Sequence, residues 1–268
     1  MLTLPPSAQL KPFIKQLWVS QSDATPAAGR EHVLPTGEMH LVFRLDGPPL
    51  TIYRSGDGPA GTTIGEPVVG GIRTSFYAKQ VAGPVLSVGV QLLPGAAQAL
   101  FGVSAAELAE RHTPLSELWG THAATVIDQL ASATTARQRL ALLEAELAAR
   151  LPRVHGLHPA VAQLLHGAQR DWRIEAMVRE SAYSHRGFIA LFRQATGCSP
   201  KRYARLMRFQ SLLAAMRGSP SIPLGALALD AGYSDQAHMN REFREFAGVT
   251  PLQYRTLAPD NANHVQLR

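Results

Sequence analysis

From Ile174 onward the apolar positions recur every three or four residues, the spacing of amphipathic helices. Ile174, Met177 and Val178 make one stripe within Asp171–Ser181, and Phe188, Leu191 and Phe192 make the next. Tyr203, Leu206, Met207, Leu212 and Leu213 form a longer one. Leu224, Leu227 and Ala228 follow inside Ile222–Asp230, then Ala237, Phe243 and Phe246 or Ala247. Upstream, His158–Arg170 is predicted as a first helix with Val161, Leu164 and Leu165 inward. Start and stop residues stand between the stripes. Ser184 or His185 opens a helix to Thr196, and Ser199 caps the next, with Pro200 at N1. That helix runs to about Arg217, where Gly218 and Pro220 end it. Gly232 stops the short helix before it and Tyr233 anchors the turn. Ser234 is placed to cap the following helix, with Asp235 in its first turn. Gly248 ends that helix, and Thr250-Pro251-Leu252-Gln253 is a capping box with Pro at N1.

The first 93 residues follow a different pattern. Phe13–Ser20, Glu38–Leu45, Leu50–Arg54, Ile72–Gln80 and Pro84–Leu93 are short runs rich in Val, Ile, Phe and Tyr, separated by Pro and Gly clusters. They predict a closed or sandwiched antiparallel β unit. The Gly-rich run Gly56–Gly71 lacks the Gly-Lys-Ser/Thr ending of a phosphate loop and is expected to form hairpin turns. From Pro94 the pattern turns helical: PGAAQALFG, a capping box at Ser104–Glu107, then Thr121–Ala131 and Thr135–Leu151. The last carries Leu140, Leu143, Leu147 and Leu151 on one stripe, which fits either its own domain or a dimer contact. Pro152–Pro159 breaks that helix. The expected division is 1–152 for a sensing, effector or dimerisation domain and 157–258 for a helical one, an α+β chain overall.

The helical half repeats itself. Tyr183-Ser184 recurs 50 residues later as Tyr233-Ser234. Phe192-Arg193 recurs as Phe243-Arg244, Gly197 as Gly248, and Ser199-Pro200 with Tyr203 as Thr250-Pro251 with Tyr254. A short helix, a turn and a second helix with a polar outer face describe a helix-turn-helix, and here there are two. This duplicated unit, over roughly Leu157–Leu257, resembles the AraC/XylS family of bacterial transcription regulators. HVLPTGEMHLVF (32–43), GVQLLPGAAQALFG (89–102) and TPLSEL (113–118) look like the cupin-like N-terminal sensing domain of a subset of them. The resemblance implies a β-barrel-like N-terminal domain with a helical extension and an all-α C-terminal domain whose two helix-turn-helix motifs a linker helix joins. It also implies double-stranded DNA as a partner, RNA polymerase as another, and compatibility with a small-molecule effector and a homodimer. Base-reading side chains then fall at Arg186, Ile189 and Ala190 on the first recognition helix and at Gln236, Asn240 and Arg241 on the second. Asn and Gln suit adenine and Arg suits guanine. Ile189 and Ala190 offer only apolar contact to a thymine methyl. Ala190 stands where the family carries a polar group, and Ala182 where it has a turn glycine. Arg193, Lys201, Arg202, Arg205 and Arg244 are candidates for phosphate contacts, which position the domain without specifying sequence.

Charge points the same way. The chain's net charge is +6 over 268 residues, yet residues 1–157 hold 12 Lys and Arg against 12 Asp and Glu. Residues 158–258 hold 13 against 7, so the whole excess lies in the segment expected to meet a polyanion. The single cysteine, Cys198, excludes an internal disulfide and suits a small semi-buried residue at a helix turn. No apolar run reaches the ~18 residues of a membrane span, and the N-terminus lacks a signal-peptide core, so a cytoplasmic chain is expected with no membrane partner. The alternative function is a cupin-like enzyme or metal-binding domain fused to a basic helical module. Its best candidates are Glu38 and His40, which would share a strand face. They lack a recognisable third ligand, since His32, His112 and His122 follow no ligand spacing, and no nucleophile elbow occurs. Neither a catalytic residue nor a metal or cofactor is assigned, and regulation as activator or repressor is left open.

Overall fold

A computed structural model describes residues 1–22, 29–53, 60–81, 83–151, 178–179, 183–218 and 221–267. The helices expected at His158–Arg170 and Asp171–Ser181, and the boundary at Pro152–Pro159, lie almost wholly outside them. The strands form two antiparallel sheets. One runs β1 (Leu2–Leu4), β2 (Ile14–Ser22), β9 (Val85–Leu92), β4 (Met39–Asp46), β7 (Val68–Gly70), β10 (His112–Pro114). The other runs β11 (His264–Leu267), β3 (Gly29–Val33), β8 (Tyr77–Val81), β5 (Leu50–Tyr53), β6 (Thr62–Ile64). The expected β unit is therefore two separate sheets among the described residues, not a closed barrel. The Gly-rich run holds more than turns, since β6 and β7 lie in it.

Strand alternation decides what each face of the first sheet does. On β4, Met39, Leu41 and Phe43 are buried, while His40, Val42 and Arg44 between them are half-buried. The apolar face is covered by α4 (His122–Ser132) and α5 (Ala136–Arg150), which pack on β4, β2 and β9. Leu140, Leu143 and Leu147 are all at most 2% exposed, so the α5 stripe goes to its own domain and Leu142 remains as that helix's outward leucine. Each of the three contributes about 1.5–3 kcal/mol by leaving water. Capping boxes hold α5 at Thr135 and α2 (Ala105–Leu108) at Ser104. Short α1 (Ala96–Phe101) and α3 (Leu115–Trp119) complete this half.

The second half contains α6 (His185–Thr196), α7 (Pro200–Gly218), α8 (Leu224–Asp230), α9 (Gln236–Ala247) and α10 (Pro251–Leu257). Beyond α10 the chain returns to the first half, where β11 pairs with β3 and buries Val265 completely. The two halves are closely docked. Gly197 and Gly248, equivalent glycines of the repeat, end α6 and α9 at φ +89° and +71°. A side chain at either would collide with the first half: a Cβ at Gly197 would stand 2.4 Å from Ile72, and one at Gly248 2.5 Å from the Phe76 ring. The glycines thus serve both the left-handed helix end and the domain seam. His32 Nδ1 lies 3.0 Å from the Ala247 carbonyl, and Gln210 Nε2 donates to the Pro35 carbonyl at 2.8 Å. Among the described residues no helix is long and apolar enough to cross a membrane.

Candidate nucleic-acid interface

Both recognition helices are built the same way. A side-chain oxygen at the N-cap accepts from the N–H three residues on: Ser184 from Gly187, and Asp235 from His238 at 2.7 Å. A left-handed glycine closes the far end and two phenylalanines are sunk between, Phe188 and Phe192 on α6, Phe243 and Phe246 on α9. The second cap is Asp235 rather than Ser234, because aspartate reaches the orphan N–H groups with a full charge at the positive helix end. That capping holds its carboxyl below the usual range, chiefly through the His238 N–H. The caps are therefore 51 residues apart, although the tyrosines are 50 apart, and the second turn is one residue longer.

This shift changes which positions correspond. Counted from the caps, Arg186, Ile189, Ala190 and Arg193 match Ala237, Asn240, Arg241 and Arg244. The observed exposure follows that register. Arg186, Ala190 and Arg193 are exposed with Ile189 half-buried beside them; Ala237, Arg241 and Arg244 are exposed with Asn240 half-buried. Ala237, expected in the core, faces out, and Met239 takes its place at 0% exposure. Gln236 is exposed at the first position of α9, with its amide oxygen beside Gly225 of α8. The Asn240 side-chain oxygen is buried and without a hydrogen-bond partner.

Of the candidate phosphate contacts, Arg193, Lys201, Arg202 and Arg244 are exposed. Arg205 is placed differently. Its guanidinium donates to Glu242 at 2.7 Å and to Glu245 at 2.5 Å, and lies over the Phe246 ring. Arg208 bonds the same Glu242 at 3.2 Å and the Gly232 carbonyl at 3.3 Å, and covers the Tyr233 ring. Glu242, only 3% exposed, is thus clamped by two arginines one turn apart on α7. Sequence reading missed it because a carboxylate inside a basic domain looks like a surface residue; its place one turn from Met239, on the inward side, is the available signal. The clamp fixes the roll of α9. Glu242→Ala should destabilise the protein by about 2–3 kcal/mol in urea unfolding. That is below the ~3–5 kcal/mol of a fully buried pair, because the arginine side chains keep 28% and 27% of their surface in water. An unchanged midpoint would show the clamp to be idle.

Cys198 sits in the turn between α6 and α7 at 6% exposure, and burial pushes its thiol up to about 11, which suits a packing residue. Glu38 is bonded to Lys15 at 2.5 Å, and His40 is half-buried on β4 with Nε2 3.5 Å from the Thr36 hydroxyl.

Two exposed helix faces, each carrying arginines and set by the same cap, core and glycine plan, have the arrangement of paired recognition helices, and α8, the turn at Gly232 and α9 make a helix-turn-helix. Residues 177–256 match the family model described as a helix-turn-helix domain. Residues 2–114 match a model described as a domain of unknown function, DUF6597. Over 99 residues, 37% of this chain and 33% of the relative, the protein is 34% identical to an uncharacterized HTH-type transcriptional regulator of Haemophilus influenzae. Over 95 residues, 35% of this chain and 31% of the relative, it is 24% identical to the HTH-type transcriptional regulator MtrA of Neisseria gonorrhoeae. The matches span about a third of those relatives. ToxT of Vibrio cholerae superimposes with a TM-score of 0.46 at 8% identity, covering 90% of this chain and 97% of that one. The C-terminal domain of AraT from Geobacillus stearothermophilus gives 0.35 at 21% identity, over 37% of this chain and 86% of that one.

Proposed function

We propose that this protein is a cytoplasmic, sequence-specific transcription regulator, and that its two-sheet half senses an effector while its helical half reads promoter DNA. Double-stranded DNA is the direct partner; RNA polymerase and a second copy of the chain are the further ones. The reading is of a binding protein, not an enzyme. One observation carries it: two recognition faces of matched register stand exposed on α6 and α9. The faces are not equal. Arg241 can grip guanine with two hydrogen bonds and Gln236 offers a whole amide for adenine, while Asn240, its oxygen buried, has only its NH2 to donate; their counterparts on α6 include Ile189 and Ala190. Arg186 is the one polar reader there. Arg193, Lys201, Arg202 and Arg244 take phosphates, and Arg205 moves from that set to the α9 clamp.

The test is to sequence DNA fragments retained by the purified full chain, then repeat with single variants. Arg241→Ala should cost about 1–3 kcal/mol and relax one base position. Ile189→Ala should alter the recovered site far less, having no hydrogen bond to lose. Equal relaxation by both variants would reject the unequal division, and fragments without a common site would reject sequence-specific reading.

A further inference from the structure

Past α10 the chain turns sharply. Ala258 takes the left-handed conformation, φ +41° and ψ 58°, which a residue with a Cβ keeps only where its surroundings hold it. The surroundings here are ties to the helical half. The Tyr254 hydroxyl of α10 donates to the Ala262 carbonyl at 2.9 Å, and Arg217 near the end of α7 donates to the Asp260 carbonyl at 2.9 Å. Gln210 of α7 donates to the Asn263 side chain at 2.8 Å. Residues 258–263 are thus fastened to α7 and α10 before β11 begins.

β11 then enters the other half. His264–Leu267 pair antiparallel with β3, and the Leu34 N–H donates to the Asn263 carbonyl at 2.8 Å. Strand alternation sends successive side chains to opposite faces. His264 reaches Glu31, which also holds Lys79 at 3.3 Å. Val265 goes to the other face, in one row with His32 and Ala78, and all three are at most 4% exposed.

That row is where the second reader lands. The carbonyl of Ala247, the last residue of α9, is one of the four that a helix leaves without an intrahelical partner. It lies 3.0 Å from His32 Nδ1, and because a carbonyl only accepts, that nitrogen carries the proton. His32 stacks on Phe76 at 4.2 Å, and the Phe76 ring lies against Gly248. The first reader is held by other means. α6 packs on α1 and α2, and its Ala195 carbonyl accepts from the Gly95 N–H at 2.9 Å. Each recognition helix therefore has a terminal carbonyl capped by the two-sheet half, one by a backbone N–H and one by a side chain. The linker helix α7 touches the same half through Gln210 at Pro35 and Met207 at Gly37. These contacts close a frame: α6 on α1 and α2, α6 and α9 on α7, and α7, α9 and α10 on β3 and β11. A closed frame fixes the angle between its members. Opened on one side, it becomes a hinge at the turn between α6 and α7.

We propose that residues 258–267 are a strap that fastens the second reader to the two-sheet half, and that by closing the frame they set the spacing at which both readers meet a two-part DNA site. Val265, His32 and Gln210 are positioning residues for α9 and lie behind its recognition face. The proposal rests on the DNA-reading function and deepens it. It also gives the sensing half a route to one reader, since a displacement of β3 reaches α9 through His32 and β11 while α6 stays on α1 and α2.

Val265→Asp puts a carboxylate at a position with no exposed surface, and β11 should leave the sheet rather than bury it unpaired. The measurement is affinity of the full chain for each half-element of its recovered site, and for the joined site at a series of spacings. Circular dichroism and thermal unfolding control for fold. Each half-element should be bound within about twofold of wild type, because the recognition faces are distant from the change. The joined site at its best spacing should be bound at least about tenfold more weakly, and the optimum should flatten, since loosened readers lose part of the advantage of simultaneous contact. Gln210→Ala cuts the α7 bonds to Pro35 and Asn263 without burying a charge. It should act in the same direction, and it replaces Val265→Asp if that variant does not fold. Gln266→Ala, exposed on the same strand, should behave as wild type. Hydrogen exchange at the Leu34 amide reports whether the strap has come away. A folded variant whose Leu34 amide exchanges fast while its spacing optimum stays sharp would overturn the strap's role. Unchanged protection in both variants would do the same, since neither side chain then fastens the strand. Tighter binding of the joined site by Val265→Asp, the mark of an inhibitory contact, or weaker binding of a half-element by a folded variant, would also overturn it. A wild type that binds half-elements but is indifferent to spacing rejects the strap and keeps the regulator. A wild type that recovers no common DNA site rejects the regulator and the strap's role with it.

Discussion

Raising the salt from about 50 to about 200 mM should weaken specific DNA binding by the full chain between roughly a hundredfold and a thousandfold. The range follows from which cations the structure leaves facing outward. Arg193, Lys201, Arg202 and Arg244 are exposed beside the recognition faces, and Arg186 and Arg241 are exposed within them. Four phosphate contacts give a slope of about −3.6 in log affinity against log salt, a loss of roughly a hundredfold over this fourfold change. Six give about −5.4 and roughly a thousandfold. Arg205 adds nothing to either count because two carboxylates hold it. Arg205→Ala should therefore leave the slope unchanged while lowering stability, whereas Arg193→Ala or Lys201→Ala should each reduce the slope by about one. A wild-type slope near −1, or a slope that falls with Arg205→Ala, would show that other charges face the DNA.

What the sequence made legible was local chemistry. The capping box at Thr250, the N-cap at Ser184, the stop glycines at 197 and 248 and the paired phenylalanines all act within one or two turns, so their spacing survives in the linear pattern. The one-residue difference between the turns stands in the sequence, since the tyrosines are 50 residues apart and Phe192 and Phe243 are 51, but which residue caps does not, because Ser234 and Asp235 are both good caps and only the folded turn chooses between them. Ala237 and Met239 changed places for the same reason. Short strands were the other gap. β7, β10 and β11 have three or four residues each and exist because neighbours supply their hydrogen bonds, not because of their own apolar alternation. The row that His40, Gly70 and His112 share was invisible for that reason: His40 and His112 are brought to the same row only by the register of β7 between them. Glu38 precedes β4, and its carboxylate is taken by Lys15.

Ala204→Pro should reduce binding to a two-part DNA site by more than any single base-contact substitution, with a local cost of about 3 kcal/mol or more. The linker helix α7 has 19 residues and spans about 28 Å. That length, close to the ~34 Å between successive major grooves on one face of DNA, invites the idea of a simple ruler. The packing shows a different device. The first reader meets α7 at Tyr203, whose ring stands edge-on to Phe192 at 5.6 Å. The second meets it at Arg205, Arg208 and Phe209, the last packed on Phe243 and Phe246 at 5.3 and 5.0 Å. Both anchorages fall within two turns of one helix, so spacing depends on the angles at which α6 and α9 leave that short segment. Ala204 lies between the anchorages. A proline there removes one helical hydrogen bond and forces its ring against the preceding turn, which swings one reader relative to the other. Binding to each half-element alone should change little, because neither recognition face is touched. Binding to the joined site should fall by roughly a hundredfold or more, and the optimal spacing between half-elements should broaden or shift. The measurement is affinity across a series of sites whose half-elements are moved apart by one base pair at a time, for wild type and variant, with thermal unfolding as the control for fold. A wild type indifferent to spacing, or a folded variant with the same sharp optimum, would show that α7 does not set the geometry of the two readers.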